Sequence, residues 1–289
     1  MSKSRILIQL DSDPQPSVFD SVVAIDSDVD QLFRHHNVDT DNVQSLVHGA
    51  IFTRGPSDLK STAIFVGGNN VKKAEEILDK IQKTFFGPMR VSVMLDANGC
   101  NTTAAAAVLC AEKHASLEGS TIAVLGGTGP VGQRIVRLTA RKGARVFVGS
   151  RNMERAAKIC EQMKSESTEW QLTPFATEDA NWVESIRHSE VVFGAGAAGC
   201  ELISAEELQS LSQAKVLIDL NAVPPAGIPG VDVMAAGAEL NGAIAYGAIG
   251  VGGLKMKIHK AALRKLFESN DLTLDAESIY GVGETLSQG

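Results

Sequence analysis

The chain has 289 residues, with 27 Lys and Arg against 34 Asp and Glu and a formal net charge of −7. That length exceeds the usual single-domain range and predicts two domains, while the acidic balance without a long basic run excludes nucleic acid or an anionic membrane surface as expected partners. No stretch approaches the roughly 20 apolar residues of a bilayer span, and Met1-Ser-Lys-Ser-Arg5 leads into a strand instead of a secretory core, so a cytoplasmic protein is expected.

In chain order, an apolar strand is predicted at Ile6–Leu10, followed by the polar turn Asp11–Ser17. Ser17 to Arg54 fits helix and strand equally well and is left open. Thr62–Val66 reads as a buried strand ending in Gly67-Gly68, which feeds a helix from about Val71 to Thr84, where Ala74, Ile77, Leu78 and Ile81 recur at helical spacing. Val91–Leu95 is a third strand that runs into Asp96. This alternation predicts a small α/β domain whose loops gather at one end of the strands. From Thr102 an alanine-rich helix with a Thr or Asn cap carries the chain onward.

The richest stretch is Ser120-Thr-Ile-Ala-Val-Leu-Gly-Gly-Thr-Gly-Pro-Val-Gly-Gln-Arg134. A β-branched strand runs into Gly127, Gly129 and Gly132, and then into a helix through about Lys142. In this pattern the first glycine permits a tight turn, the second lets backbone approach a pyrophosphate, and the third lets helix pack on sheet, with helix N–H groups facing the anion. Thr128, Pro130 and Val131 complete the expected cradle. A second strand, Arg145–Val148, closes a βαβ unit and ends in Gly149-Ser150-Arg151-Asn152, with Arg155 one turn further on. NAD sites place an acid at this strand end, whereas NADP sites drop it and supply Arg. No acid stands there. Arg151 can pair with a 2′-phosphate bidentately and Ser150 and Asn152 can donate to it, so NADP is the expected cofactor.

The alternation continues with a helix from Met153 to about Glu166, a strand near Gln171–Phe175, a helix over Ala180–His188, a strand at Val191–Phe193, a helix near Ala205–Leu211 and a strand at Val216–Asp219. Gly194-Ala-Gly-Ala-Ala-Gly199 is either a nicotinamide-ribose loop contributing Ala195 and Gly196 or a plain tight turn. Asp219–Gly230, with Asn221, reads as a loop of fixed shape, and Pro224-Pro225 can be cis. Gly247–Gly253 delivers Lys255 at the start of a helix from Leu254 to about Phe267, and a last helix lies near Ala276. The predicted domains are therefore 1–103 with 268–289, and 104–267, with substrate meeting nicotinamide in the cleft between them. Cys100, Cys110, Cys160 and Cys200 lie scattered, with no C-x-x-C pair and no His at zinc spacing, so reduced, mostly buried thiols and no metal site are expected. Cys100 has no base or cation in local reach and is not assigned as a nucleophile.

Pro16–Asp20, Ser61–Gly68, Phe85-Phe-Gly-Pro88, Asn101-Thr-Thr103, Gly129–Gly132, Asn221–Pro225 and Gly252-Gly-Leu-Lys255 together resemble the bacterial methylene-tetrahydromethanopterin dehydrogenases, nearly end to end and nearer the NADP-dependent branch. The resemblance implies an α/β pterin domain joined to a Rossmann-type parallel-sheet NADP domain, assembled as a homo-oligomer, trimer or hexamer, in one-carbon (formaldehyde) metabolism. It places Lys255 at the pterin site as the catalytic candidate and Phe19 in the matching loop, with Thr102, Thr103, Asp20 and Asp96 to read the pterin's polar edge. One position departs: Asn152 stands where that branch carries Lys.

The implied chemistry agrees with what the sequence lacks. A methylene carbon between two nitrogens expels hydride because their lone pairs stabilise the methenyl cation, so no base, triad or carboxylate pair is required; placement and exclusion of water are. Rival readings are a methylene-tetrahydrofolate dehydrogenase, a shikimate-type dehydrogenase, whose Lys and Asp pair has no convincing match here, and a non-catalytic NADP-binding protein on the same scaffold.

Overall fold

The computed structural model describes residues 3–288. They form two compact units, Met1–Thr102 with Met256–Gly289, and Thr103–Lys255.

The chain opens with β1 (Ile6–Asp11), α1 (Val18–Ile25), β2 (Gln31–His35), α2 (Val43–Phe52), β3 (Thr62–Gly67), α3 (Val71–Thr84), β4 (Ser92–Leu95) and α4 (Cys100–Glu112). Every residue of β3 is buried, as a parallel strand covered on both faces requires. On α3 the buried positions are Val71, Ala74, Ile77 and Ile81, and the Asn70 side chain caps it by accepting the Lys73 N–H. The segment left open by the sequence resolves into α1, β2 and α2. Its ambiguity has a cause: α1 is short and exposes Val18, Val22 and Ile25, while β2 is an edge strand with a largely exposed pattern, so neither shows a clean apolar period. α4 is apolar on all sides and buried throughout Ala104–Ala107. Its cap is neither Thr nor Asn, as expected, but the carboxylate of Asp96, which accepts the Asn101 and Thr102 N–H groups at 2.9 and 3.0 Å.

In the second unit follow β5 (Thr121–Leu125), α5 (Pro130–Arg141), β6 (Arg145–Ser150), α6 (Met153–Lys164), β7 (Gln171–Ala176), α7 (Trp182–Ile186), β8 (Val191–Gly194), α8 (Ala205–Ser210), β9 (Val216–Asp219), β10 (Ala236–Leu240) and β11 (Ala243–Tyr246). The strands lie in the order β10-β11-β9-β8-β5-β6-β7. All pairs are parallel except β10 on β11. This is a Rossmann-type sheet, and the order reverses at β5/β8, where the carboxyl ends open a crevice. The β10–β11 hairpin turns on Asn241-Gly242, both at positive φ (53° and 86°), the conformation that a two-residue hairpin loop needs.

α9 (Ala248–Lys265) begins at Ala248 and not at Leu254. Its first turns absorb the glycine-rich segment because the backbone there is crowded: a Cβ on Gly247 would strike the Asp232 carbonyl, and one on Gly250 the Ala235 carbonyl. β12 (Thr273–Leu274) and α10 (Ala276–Gln288) then complete the first unit, whose five parallel strands lie in the order β12-β4-β3-β1-β2. The second crossing between units falls within α9, after Lys255, and not at 267/268 as the sequence predicts. The reason is visible in the ion pairs that bind the far half of α9 to the end of α1: Lys260 to Asp26 at 2.8 Å and Arg264 to Asp28 at 2.7 Å.

Candidate functional site

At the carboxyl ends of β5, β6, β7 and β8 lies a cavity of about 560 Å³, lined among others by Thr128, Gly129, Pro130, Ser150, Arg151 and Arg155. Ala195 and Gly196 line it too. The glycines that shape it divide the labour differently from the sequence reading. Gly126, not Gly127, takes the positive φ of the tight turn (76°) and lines the cavity, and a Cβ there would lie 2.7 Å from Gly196. Gly127 and Gly132 support from behind: a Cβ on Gly127 would meet the Val148 side chain at 2.9 Å, and one on Gly132 would meet the Gly127 Cα at 2.8 Å, so helix and strand approach closely. Gly129 is the N-cap of α5, with Pro130 at the first helical position and Val131 after it. The first-turn N–H groups of α5 thus open toward the space an anion would occupy.

Asn152, expected to donate to a phosphate, is instead the cap of α6: its side chain accepts the Arg155 N–H at 3.0 Å. Thr177 and Glu178, from the end of β7, line the cavity beside Arg151 and Arg155 and were not signalled by the sequence, because nothing in the fingerprint reaches the third strand. Cys200 and Glu201 line it as well. Cys200 is the exposed thiol; Cys110 and Cys160 are buried, which pushes each up to about 11 and leaves them unreactive.

Asn221 is not a lining residue but a brace. Its side chain accepts the N–H of Gly199 at 3.1 Å and of Val223 at 3.0 Å, and donates to the Pro225 carbonyl at 2.7 Å, so the loop after β8 and the loop after β9 are tied together. Asp219 anchors the second loop from below, accepting the N–H groups of Gly227 (2.7 Å), Ile228 (3.0 Å) and Asn221 (3.1 Å). Burial pushes its carboxyl above the ordinary value despite those three donors. The Pro224–Pro225 bond in this loop is cis.

In the first unit, the carboxyl ends of β1, β3 and β4 carry Asp11, Gly67-Gly68 and Asp96. Asp11 is buried and accepts the N–H groups of Asp13 and Ser17, which turns the chain into α1. Ser17 caps α1 by accepting the Asp20 N–H at 3.2 Å. Phe19 is 49% exposed, and the Asp20 carboxylate overhangs Gly67, where an added Cβ would lie 3.7 Å from it. Asp96 and Thr102 are fully buried and joined to each other, the Thr102 hydroxyl donating to Asp96 at 2.6 Å; Thr103 is half-buried. His259 was not singled out by the sequence. Its ring is buried, stacked at 5.8 Å on Phe65 and 6.3 Å from Phe19, with Nδ1 3.8 Å from an Asp96 oxygen. The signal that would have found it is spacing: it stands one helical turn after half-buried Lys255 on α9.

Residues 18–98 match the profile of methylene-tetrahydromethanopterin dehydrogenase, N-terminal, and residues 109–236 that of shikimate / quinate 5-dehydrogenase. The chain is 42% identical over 289 residues to the bifunctional protein MdtA of Methylorubrum extorquens, covering 99% of this chain and 100% of that one. It is 35% identical over 279 residues to the NAD(P)-dependent methylenetetrahydromethanopterin dehydrogenase of the same organism, covering 91% and 92%. The chain belongs to the methylene-tetrahydromethanopterin dehydrogenase family. Within solved structures this family member is similar in fold to ligand-free 5-ketofructose reductase of Gluconobacter sp. (TM-score 0.56, 15% identity, 98% and 99% covered). It is also similar to quinate dehydrogenase of Corynebacterium glutamicum in complex with NAD (TM-score 0.55, 12% identity, 98% and 99% covered). The resemblance to the dehydrogenase family and the two-domain α/β architecture read from the sequence are borne out. Among the described residues no helix of this family member is long and apolar enough to cross a membrane.

Proposed function

We propose that the chain is an oxidoreductase that transfers a hydride from methylene-tetrahydromethanopterin to NADP, giving the methenyl carrier and NADPH, in one-carbon (formaldehyde-oxidising) metabolism in the cytoplasm. Methylene-tetrahydrofolate is the alternative carrier. The observation that carries the reading is the placement of Arg151 and Arg155 on one cavity with the β5–α5 glycine turn, in a chain whose residues 18–98 match the N-terminal profile of methylene-tetrahydromethanopterin dehydrogenase.

The residues present fit a phosphorylated dinucleotide. The turn brings the Gly126 and Gly196 backbones together at the cavity, closer than a Cβ would allow, the α5 N-terminus suits a pyrophosphate, and Arg151 and Arg155 suit a 2′-phosphate, with Ser150 and Thr177 as donors. When bound, the nicotinamide supplies the hydride acceptor. Asn221 and Asp219 hold the loops after β8 and β9 in fixed shape, which is what positioning a ring to within the roughly 3 to 3.5 Å of hydride transfer requires.

On the pterin side, the exposed Phe19 ring offers a flat apolar wall, and Asp20 and Thr103 offer polar groups for the pterin edge. Lys255 donates to a pterin oxygen or nitrogen and orients the ring. Asp96 and Thr102 act one step back, by fixing the start of α4. No side chain has to remove a proton from the reacting carbon, since the carrier's own nitrogens stabilise the methenyl cation. A homo-oligomer, trimer or hexamer, is the proposed assembly, and the apolar stripe Val18, Val22 and Ile25 on α1, at 70%, 56% and 56% exposure, supports it. The test is a four-way activity screen of the two methylene carriers against NADP and NAD. Turnover fastest with methylene-tetrahydromethanopterin and NADP supports the reading; cofactor binding without turnover in all four arms overturns it in favour of a binding protein.

A further inference from the structure

The cavity holds a carboxylate that the 2′-phosphate reading leaves without a role. β7 lies on the far side of β6 from the glycine turn, and its end carries Glu178 into the same cavity as Arg151 and Arg155. The register of β6 with β7 runs to Ser150 opposite Ala176, and the Thr177 N–H donates to the Ser150 carbonyl at 2.8 Å. Glu178 is therefore tied by backbone to the strand end that reads the adenosine ribose. Glu201, the second acid of the cavity, follows β8 and so stands on the opposite side of β5. Two cations and one carboxylate at the ribose end make a site of mixed sign. A 2′-phosphate, carrying about −1.5 to −2 at neutral pH, gains from the arginines and is opposed by the carboxylate. An unphosphorylated ribose feels little of either, and a carboxylate accepts hydrogen bonds from its hydroxyls.

We propose that Glu178 is a specificity-determining residue that lowers the preference of this cavity for NADP over NAD. The proposal rests on the reading of the cavity as a nicotinamide-dinucleotide site. It assigns opposite signs to neighbours: Arg151 favours the phosphorylated nucleotide and Glu178 disfavours it.

The experiment is equilibrium titration of the full chain with NADPH and, separately, NADH, followed by reduced-nicotinamide fluorescence at fixed ionic strength, for the native chain, Glu178→Gln and Glu201→Gln. Glu178→Gln is expected to tighten NADPH by about threefold to fivefold, the size of a partly exposed charge interaction, with NADH changed by less than about twofold. Glu201→Gln, which removes the same charge at the other end, is expected to leave the NADPH to NADH affinity ratio unchanged. A ratio that does not move in Glu178→Gln, or that moves equally in both variants, overturns the proposal. A Glu178→Gln chain that loses both nucleotides together also overturns it and assigns Glu178 to the adenine base instead. If the native chain binds neither nucleotide, the dinucleotide reading itself has failed, a result distinct from all of these.

Discussion

The Thr102 hydroxyl donates to the Asp96 carboxylate at 2.6 Å, and both side chains are fully buried. Two residues that the resemblance assigns to the pterin edge are thus each other's partner, and their joint product is the start of α4. Asp96→Ala leaves the Asn101 and Thr102 N–H groups and the Thr102 hydroxyl without their acceptor. A loss of about 2 kcal/mol in unfolding free energy follows, from the cap and the buried hydroxyl together. Urea denaturation with an unchanged m-value checks it, and Thr102→Ser, which keeps the hydroxyl, should lose less than half as much.

Glycine to alanine changes on α9 should have opposite signs at neighbouring positions. Around Gly252 nothing lies within 4 Å of an added Cβ, so Gly252→Ala should stabilise the chain by about 0.5 to 1 kcal/mol through helix propensity. At Gly250 the added carbon meets the Ala235 carbonyl, which is backbone and cannot rotate away, so Gly250→Ala should destabilise it by about 1 to 3 kcal/mol. Thermal unfolding of the two variants side by side reads the difference in sign.

Arg151→Ala should weaken NADP by about tenfold, the scale of a charge-assisted bidentate contact to phosphate, and change NAD by less than about twofold. Binding titrations with both nucleotides measure it. Equal losses for both would remove Arg151 from the 2′-phosphate role.

Asp219 sets a pH dependence. Its carboxyl is raised above the ordinary value of 3.8 by burial, so the folded chain holds that proton more tightly than the unfolded chain does. Its contribution is fully present below the unfolded value and is lost as pH rises through the higher folded value. Relative to Asp219→Asn, the native chain should therefore lose stability over that window as pH rises; the exposed carboxylate Asp28, held low by Arg264, contributes in the opposite direction but equally in both chains, so the comparison removes it. Unfolding free energies of both chains measured at several pH values between about 3.5 and 7 provide the comparison.

Lys255→Ala should lower kcat/KM for the methylene carrier by more than about tenfold, while the affinity for NADP stays within about twofold. Steady-state kinetics on the carrier and a separate nucleotide titration divide the two effects. A carrier kcat/KM within about threefold of the native value would remove Lys255 from the site.

The parallel strands and the dinucleotide turn were legible because their signals are local. β1, β3, β4, β5 and β6 are short continuous apolar runs, and the glycine spacing encodes a turn that only small residues can make. What the sequence did not disclose depends on distant partners. The glycines at 247 and 250 read as a loop, yet Gly247 directly precedes α9 and Gly250 lies in its first turn, because crowding comes from Asp232 and Ala235 on another segment. The Asn241-Gly242 hairpin carried a turn signal, but the edge strand β10 beside it lacks alternation strong enough to claim it. In the site, Arg151 and Arg155 were readable from the second strand, whereas Glu178 enters from the third and His259 from a helix whose packing only the fold reveals.

Direct transfer from the carrier to the nicotinamide is the centre of this account, and isotopic labelling tests it. With a methylene carrier bearing two deuterium atoms on the reacting carbon, the account predicts one deuterium at C4 of the NADPH formed, the other retained on the methenyl carbon, and a slowed turnover. NADPH that carries hydrogen from solvent at C4 would contradict it.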